Sequence, residues 1–274
     1  MVDVPPPESP SPYLLDNQKA EAGRRFGALS SIFDPWTFRH LDDLGIGPGW
    51  RCWEVGAGGP SVPARLRERV GPGGRVLATD IDLSWLGSSG DRSEGAYEAR
   101  VHDIGRDAPP AETFDLVHAR LLLVHVPDRD RALATMVGCL RPGGWLLVED
   151  ADPALQPLVC PDETGPEQAL ANRLKNGFRD LLAGRGVDLA YGRTLPRHLR
   201  AAGLVDVEAD AYFPVTSPAC NALEAATVEQ VRTRLVAAGI ATYEEIDRHL
   251  ASVSAGHLDL ATSPLVSAWG HRPG

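Results

Sequence analysis

The chain has 274 residues and a formal net charge of −10, with 37 acidic and 27 basic side chains and no Lys/Arg-rich block. That balance argues against a nucleic-acid groove, which needs a basic surface, and favours a small molecule or a protein as the substrate. No apolar run reaches the ~20 residues of a helical membrane span, and Cys52, Cys139, Cys160 and Cys220 form neither a CxxC pair nor a metal-spaced cluster.

A chain of this size can bury a core without disulfides, so the expectation is a reduced, cytoplasmic protein with no metal and no membrane partner. The basic residues are almost all arginine, beside Lys19 and Lys175, a bias that reads as GC-rich bacterial coding. The opening MVDVPPPESPSPY lacks the basic start and apolar centre of a signal peptide.

Residues 1–12 hold five prolines and little apolar material, which predicts a disordered lead. Over residues 13–46 the pattern predicts two helices. Ala20, Phe26, Leu29 and Phe33 fall at near-helical spacing, and Asp34 then reads as the cap of a new helix with Pro35 at its first position, ending on Gly45.

From residue 47 onward short apolar runs alternate with helical patterns. WRCWEV, RVLATD, YEARVH, FDLVHA and WLLVED read as strands, with SVPARLRERV, DLSWLG and DRDRALATMVGCL between them as helices. This rhythm gives right-handed crossovers and a parallel sheet. Beyond Asp152 it breaks: helices are expected around residues 164–184, at TLPRHLRAAGL and within 219–253, with strands at VDVEADAYFPV and PLVSAWGH.

The segment WEVGAGGPSV runs a strand into a glycine turn and then a helix start. Gly56 and Gly58 allow a sharp turn and close approach of a ligand, and Asp80 ends the next strand, where a carboxylate can accept both hydroxyls of a ribose. Together these features point to an adenosine-containing cofactor. A dinucleotide loop would want a third glycine where Ser61 stands, and a P-loop would want a lysine that this region lacks.

EVGAGGP closely resembles motif I of class I S-adenosylmethionine-dependent methyltransferases. TDID, HDI, FDLVHARLLLVHVPD and LRPGGWLLVED resemble the family's later segments in the same order, and the nearest subgroup in resemblance is the ubiquinone/menaquinone-biosynthesis type. The resemblance implies an α/β Rossmann-like core, a seven-stranded, mostly parallel sheet with an antiparallel last strand near PLVSAWGH. The 13–46 helices and the insertions around 164–184 and 219–253 would form a helical cap on the 47–274 core.

By position it also implies S-adenosylmethionine as cofactor. Gly56, Ala57 and Gly58 would line its methionine part, with Glu54 ordering the loop. Asp80 would take the ribose hydroxyls and Ile81 would pack on the adenine, whose amino group Asp103 would accept beside the Ile104 backbone. His118, Ala119 and Arg120 would pass the methionine end, and Arg25 could pair with its carboxylate. The motif's last glycine falls at Pro60, which removes a backbone donor but suits a helix start.

His125 lies where the methyl should emerge and could act as a base, or could be a pocket wall. Tyr13, Phe33, Trp36 and Asp152 are candidates for the substrate pocket, whereas Glu149 reads as solvated. The implied reaction is methyl transfer to an O, N or C nucleophile of a small, aromatic or quinone-like metabolite, in a setting that leaves room for a homodimer. An NAD-dependent oxidoreductase on the same sheet and a non-catalytic cofactor-binding protein are the alternatives.

Overall fold

The computed structural model describes residues 20–86 and 97–274. The proline-rich lead and Tyr13 lie outside the described residues.

The chain opens with helix α1 (Ala20–Asp43), then β1 (Arg51–Val55), α2 (Ser61–Val70), β2 (Arg75–Asp80), β3 (Glu98–Val101) and β4 (Phe114–Arg120). There follow α3 (Arg129–Gly138), β5 (Leu140–Ala151), α4 (Pro166–Ala183), α5 (Leu195–Ala201), β6 (Val205–Tyr212), α6 (Pro218–Ala237), α7 (Tyr243–Ser254) and β7 (Leu265–His271). The seven strands make one sheet in the order β3-β2-β1-β4-β5-β7-β6. Strands β1 to β5 pair in parallel and β7 runs antiparallel between β5 and β6. This is the class I methyltransferase-type Rossmann-like fold.

Each sheet face is covered by a different set of helices, as alternating side chains require. On one face Cys52, Val76, Leu116 and Leu147 pack against Leu41 of α1 and Val62, Leu66 and Val70 of α2. On the other, Trp53, Leu77, Val117, Leu146 and Ala268 meet Leu133 and Met136 of α3 and Leu195 and Leu199 of α5. The chain crosses from β3 at one edge to β4 on the far side of β1, so the strand order switches between β1 and β4. A crevice opens there at the carboxyl ends of the strands.

Three expectations need correction. Residues 20–43 form a single helix that runs through Pro35 rather than two helices meeting at Asp34. Instead of capping a new helix, Asp34 accepts a hydrogen bond from Arg120 Nη2 at 2.8 Å, and Thr37 Oγ1 accepts from Arg120 Nη1 at 2.9 Å. Tertiary anchors on both sides of the proline hold one axis where local signals favour a break. DLSWLG forms no helix over its described residues, because Asp82 Oδ1 binds the backbone N–H of Ser84 at 2.9 Å in a local turn that competes with helix. Glu149 is fully buried rather than solvated.

Helices α4, α6 and α7 pack on one another through Leu170, Leu174, Val231, Leu235 and Ile246. A second apolar cluster joins Ile32 and Phe33 of α1 to Cys220 of α6, Val253 of α7 and Leu265 of β7. The helices after β5 are thereby fastened to α1 and stand beside the crevice.

Candidate active site

A cavity of about 300 Å³ occupies the crevice. Its floor is the β1–α2 turn, the ends of β2 and β4 and the residues after them; its wall comes from α1, α4 and α6. The volume lies at the lower end of the range for small-molecule sites.

The floor is shaped by the glycines. Gly56 has φ +67° and Gly58 φ +61°, a left-handed conformation that disfavours L side chains. A Cβ at Gly56 would stand 2.7 Å from Leu122 Cδ1, and one at Gly58 would stand 3.0 Å from Phe26 Cε1. The Ala57 N–H donates to the Thr79 carbonyl at 3.0 Å, and the Gly58 N–H donates to Asp80 Oδ2 at 2.9 Å. Asp80 Oδ1 accepts from the Asp82 N–H at 3.0 Å, so the carboxylate is fixed at the cavity edge. Burial raises its pKa, and the bonds from Asp82 and Gly58 partly offset that rise.

Ile81, Asp103 and Ile104 line the same end, and Ile81 is 44% exposed, an apolar side chain left uncovered at a cavity. Asp103 also accepts from the Gly105 N–H at 2.9 Å, so it serves a local turn while facing the cavity. At the end of β4, Leu121 adopts φ +55° with its N–H bonded to the Glu149 carbonyl at 2.8 Å, a strained non-glycine turn at the site. Arg25, Phe33, Arg120 and His125 complete the expected residues that line the cavity. Burial, with Arg25 and Arg129 nearby, pushes the His125 imidazole down to about 4, which keeps it neutral at physiological pH.

Other expected residues lie elsewhere. Glu54, His118 and Ala119 are buried and do not line the cavity. Ala119 belongs to the core facing α3 and α5, whereas Glu54 and His118 project to the α1 face. There His118 Nδ1 lies 2.5 Å from Glu54 Oε2, and its Nε2 lies 3.3 Å from Glu149 Oε2. Glu149 also accepts from Thr37 Oγ1 at 2.5 Å and Ser267 Oγ at 2.6 Å.

Burial would depress His118, but Glu54 and Glu149 outweigh it and lift the imidazole to about 9. Glu149, although buried, is held well below the usual carboxylate range by the hydrogen bond with His118, by His40, whose Nδ1 lies 3.4 Å from its Oε1, and by nearby charge. Glu54 has the single short partner, and there burial wins and its pKa rises. This polar row ties β1, β4, β5 and β7 to α1 behind the glycine turn.

Trp36 stacks on Tyr212 of β6 with ring centroids 4.9 Å apart and does not line the cavity. Asp152 is also absent from the wall: it accepts from Arg193 Nε at 2.7 Å and Nη2 at 2.6 Å, a bidentate clasp on the segment entering α5. The sequence reading missed Thr37, His40 and Ser267 in the polar row, and Leu122, Lys175, Glu224 and Thr227 in the cavity wall. A usable signal existed for Lys175 alone, a lysine beside Leu174 on the apolar face of a helix.

Residues 53–148 match the methyltransferase domain family. That match takes in the glycine turn, the end of β2, β4 and most of β5, about a third of the chain. The ubiquinone/menaquinone biosynthesis C-methyltransferase of Vibrio parahaemolyticus is 33% identical over 129 residues, which is 45% of this chain and 50% of that protein. The corresponding protein of Bordetella parapertussis is 31% identical over 127 residues. The chain thus spans about half the length of the curated relatives it matches.

Among solved structures, phosphoethanolamine N-methyltransferase 2 of Haemonchus contortus, in complex with phosphomonomethylethanolamine and S-adenosylhomocysteine, superposes with a TM-score of 0.58 at 16% identity. The match covers 96% of this chain and 60% of that one. A methyltransferase-like protein of Bacillus halodurans gives 0.54 at 14% identity, over 86% of this chain and 98% of that one. At such identities the likeness is one of fold. The matched residues hold the floor of the cavity, and the residues after 148 add the α4 and α6 wall.

Proposed function

We propose that the protein is a bacterial, cytoplasmic enzyme that transfers the methyl group of S-adenosylmethionine to an O, N or C nucleophile of a small, aromatic or quinone-like acceptor. The observation that carries this reading is the Gly56–Gly58 turn locked to Asp80 at the edge of the cavity. The C-methyltransferases of quinone biosynthesis among its relatives support the choice of acceptor class. The four cysteines, all buried and unpaired, fit a reducing compartment.

The residues suit the cofactor. A turn whose only side chain is the Ala57 methyl leaves room for a ligand against the backbone, and Asp80 supplies acceptor oxygens for ribose hydroxyls. Ile81 offers an apolar face for the adenine, with Asp103 as acceptor for its amino group. Gly56, Ala57 and Gly58 would hold the methionine portion, with Arg25 and Arg120 as the cations on that wall. Glu54, His118 and Ala119 would act through the strand ends they stabilise. When bound, the sulfonium supplies an electrophilic methyl group.

The remaining work falls to the chain. Phe26, Leu29, Phe33, Leu122 and Phe178 exclude water and hold an apolar acceptor in line, which is where most of the rate gain arises. Where the acceptor nucleophile still carries a proton, the neutral His125 imidazole on the cavity wall receives it. Calorimetric titration with S-adenosylhomocysteine and, separately, NADH tests the reading. Binding of the first without the second is expected; binding of NADH alone would favour the oxidoreductase alternative.

A further inference from the structure

The α4–α6 side of the cavity carries one cation with no carboxylate at ion-pair distance among the described residues. Lys175 on α4 lines the wall together with Phe178 and Leu182 of the same helix and Leu223, Glu224 and Thr227 of α6. The spacing places Lys175, Phe178 and Leu182 on one helical face. Lys175 is half-buried, and among the described residues no carboxylate lies within ion-pair distance of its ammonium. Its Nζ lies 5.7 Å from the centroid of the Phe178 ring.

Glu224 is the carboxylate on the same wall. Its Oε1 lies 3.3 Å from His249 Nε2 of α7, so the closest basic group to that carboxylate is the fully buried His249. At the floor end of the cavity, Arg120 is engaged by Asp34 at 2.8 Å. Lys175 therefore stands as a half-buried cation in a wall that is apolar apart from Glu224 and Thr227, a placement that a bound counter-charge would stabilise.

We propose that Lys175 is the specificity-determining residue of the acceptor site, and that it takes an amphipathic organic oxyanion. The apolar body of that acceptor packs on Phe178, Leu182 and Leu223, and its anionic oxygen, a carboxylate or an ionised phenol or enol, accepts from Lys175 Nζ. Burial depresses the Lys175 pKa and Glu224 partly offsets this, so a bound oxyanion would also favour the charged ammonium. The inference rests on the methyltransferase reading, and it assigns the polar end of the acceptor that the domain match leaves open.

The test uses the whole protein saturated with S-adenosylhomocysteine, whose own affinity is measured first. Failure at that step counts against the methyltransferase reading; the acceptor assignment is judged on the probe titrations alone. Four probes are titrated: 1-naphthoate and 4-nitrophenolate, with 1-naphthamide and 4-nitroanisole as neutral counterparts. The wild type is expected to prefer at least one anion over its counterpart by about 10-fold, the size of one charge-assisted hydrogen bond. Whether naphthoate or nitrophenolate shows the preference tells carboxylate from phenolate.

Lys175→Met should erase the preference and Lys175→Arg should keep most of it, both with unchanged affinity for S-adenosylhomocysteine. Equal binding of anions and neutral probes by the wild type would overturn the proposal. So would a preference that survives in Lys175→Met, or a loaded protein that binds none of the four.

Discussion

The Gly58 backbone N–H donates to Asp80 Oδ2 at 2.9 Å, so the turn after β1 and the end of β2 are fastened to each other before any ligand arrives. One carboxylate both sets the turn and faces the cavity. Asp80→Ala should therefore weaken S-adenosylmethionine binding by about 10- to 100-fold, the range for a lost hydrogen bond to a charged group. Calorimetry checks this, and an unchanged affinity would remove Asp80 from the cofactor site.

The glycines of the turn should respond unequally. Gly56→Ala forces a Cβ into a left-handed residue 2.7 Å from Leu122 Cδ1, at a cost of about 1–2 kcal/mol for the backbone alone. Gly59→Ala meets nothing within 4 Å and has no positive φ. Thermal melting and cofactor titration should show a lowered midpoint and weaker binding for the first, and near wild-type behaviour for the second.

The row Glu54–His118–Glu149 makes stability depend on pH. His118 titrates near 9 in the folded protein and near 6.5 when unfolded, so its contribution is complete below 6.5 and is lost as pH rises through 9. Glu149 has the opposite sign: its depressed pKa stabilises the fold above the unfolded value of 4.5, and the benefit disappears as pH falls below that. Melting curves should decline from pH 6.5 to 9. His118→Leu should lose that decline and about 3–5 kcal/mol of stability, because it strands two buried carboxyl groups.

His125 makes a kinetic prediction. With its imidazole at about 4 in the free protein, a base role places the acid limb of kcat/KM near pH 4 rather than near 6.5. His125→Asn should lower kcat by about 100-fold, within the range for a removed general base, and leave cofactor affinity within about twofold. A variant of full activity, assayed once an acceptor is in hand, would reduce His125 to a wall residue.

Much of the core could be read along the chain because its signals are local. Strand ends, glycines and the acidic residue at the end of β2 follow one another within a few turns of backbone, and their order alone implies the crevice. The side of the sheet that each residue serves was harder to read. His118, Ala119 and Arg120 are consecutive, yet His118 meets Glu54 and Glu149 under α1, Ala119 joins the opposite core, and Arg120 reaches the cavity. Alternation along a strand sends neighbours to different environments, and only the packed sheet says which is which.

The sequence by itself determined the alternating strands and helices, the glycine turn and the carboxylate that answers it, since each depends on residues close in the chain or on one crossover. The tertiary structure alone decided that α1 runs unbroken through Pro35, that Glu149 is buried, and that Lys175 and Glu224 share one cavity wall. Those outcomes depend on partners such as Arg120 for Asp34, Ser267 for Glu149 and His249 for Glu224. Such contacts join segments far apart in sequence, where propensity and spacing have no hold.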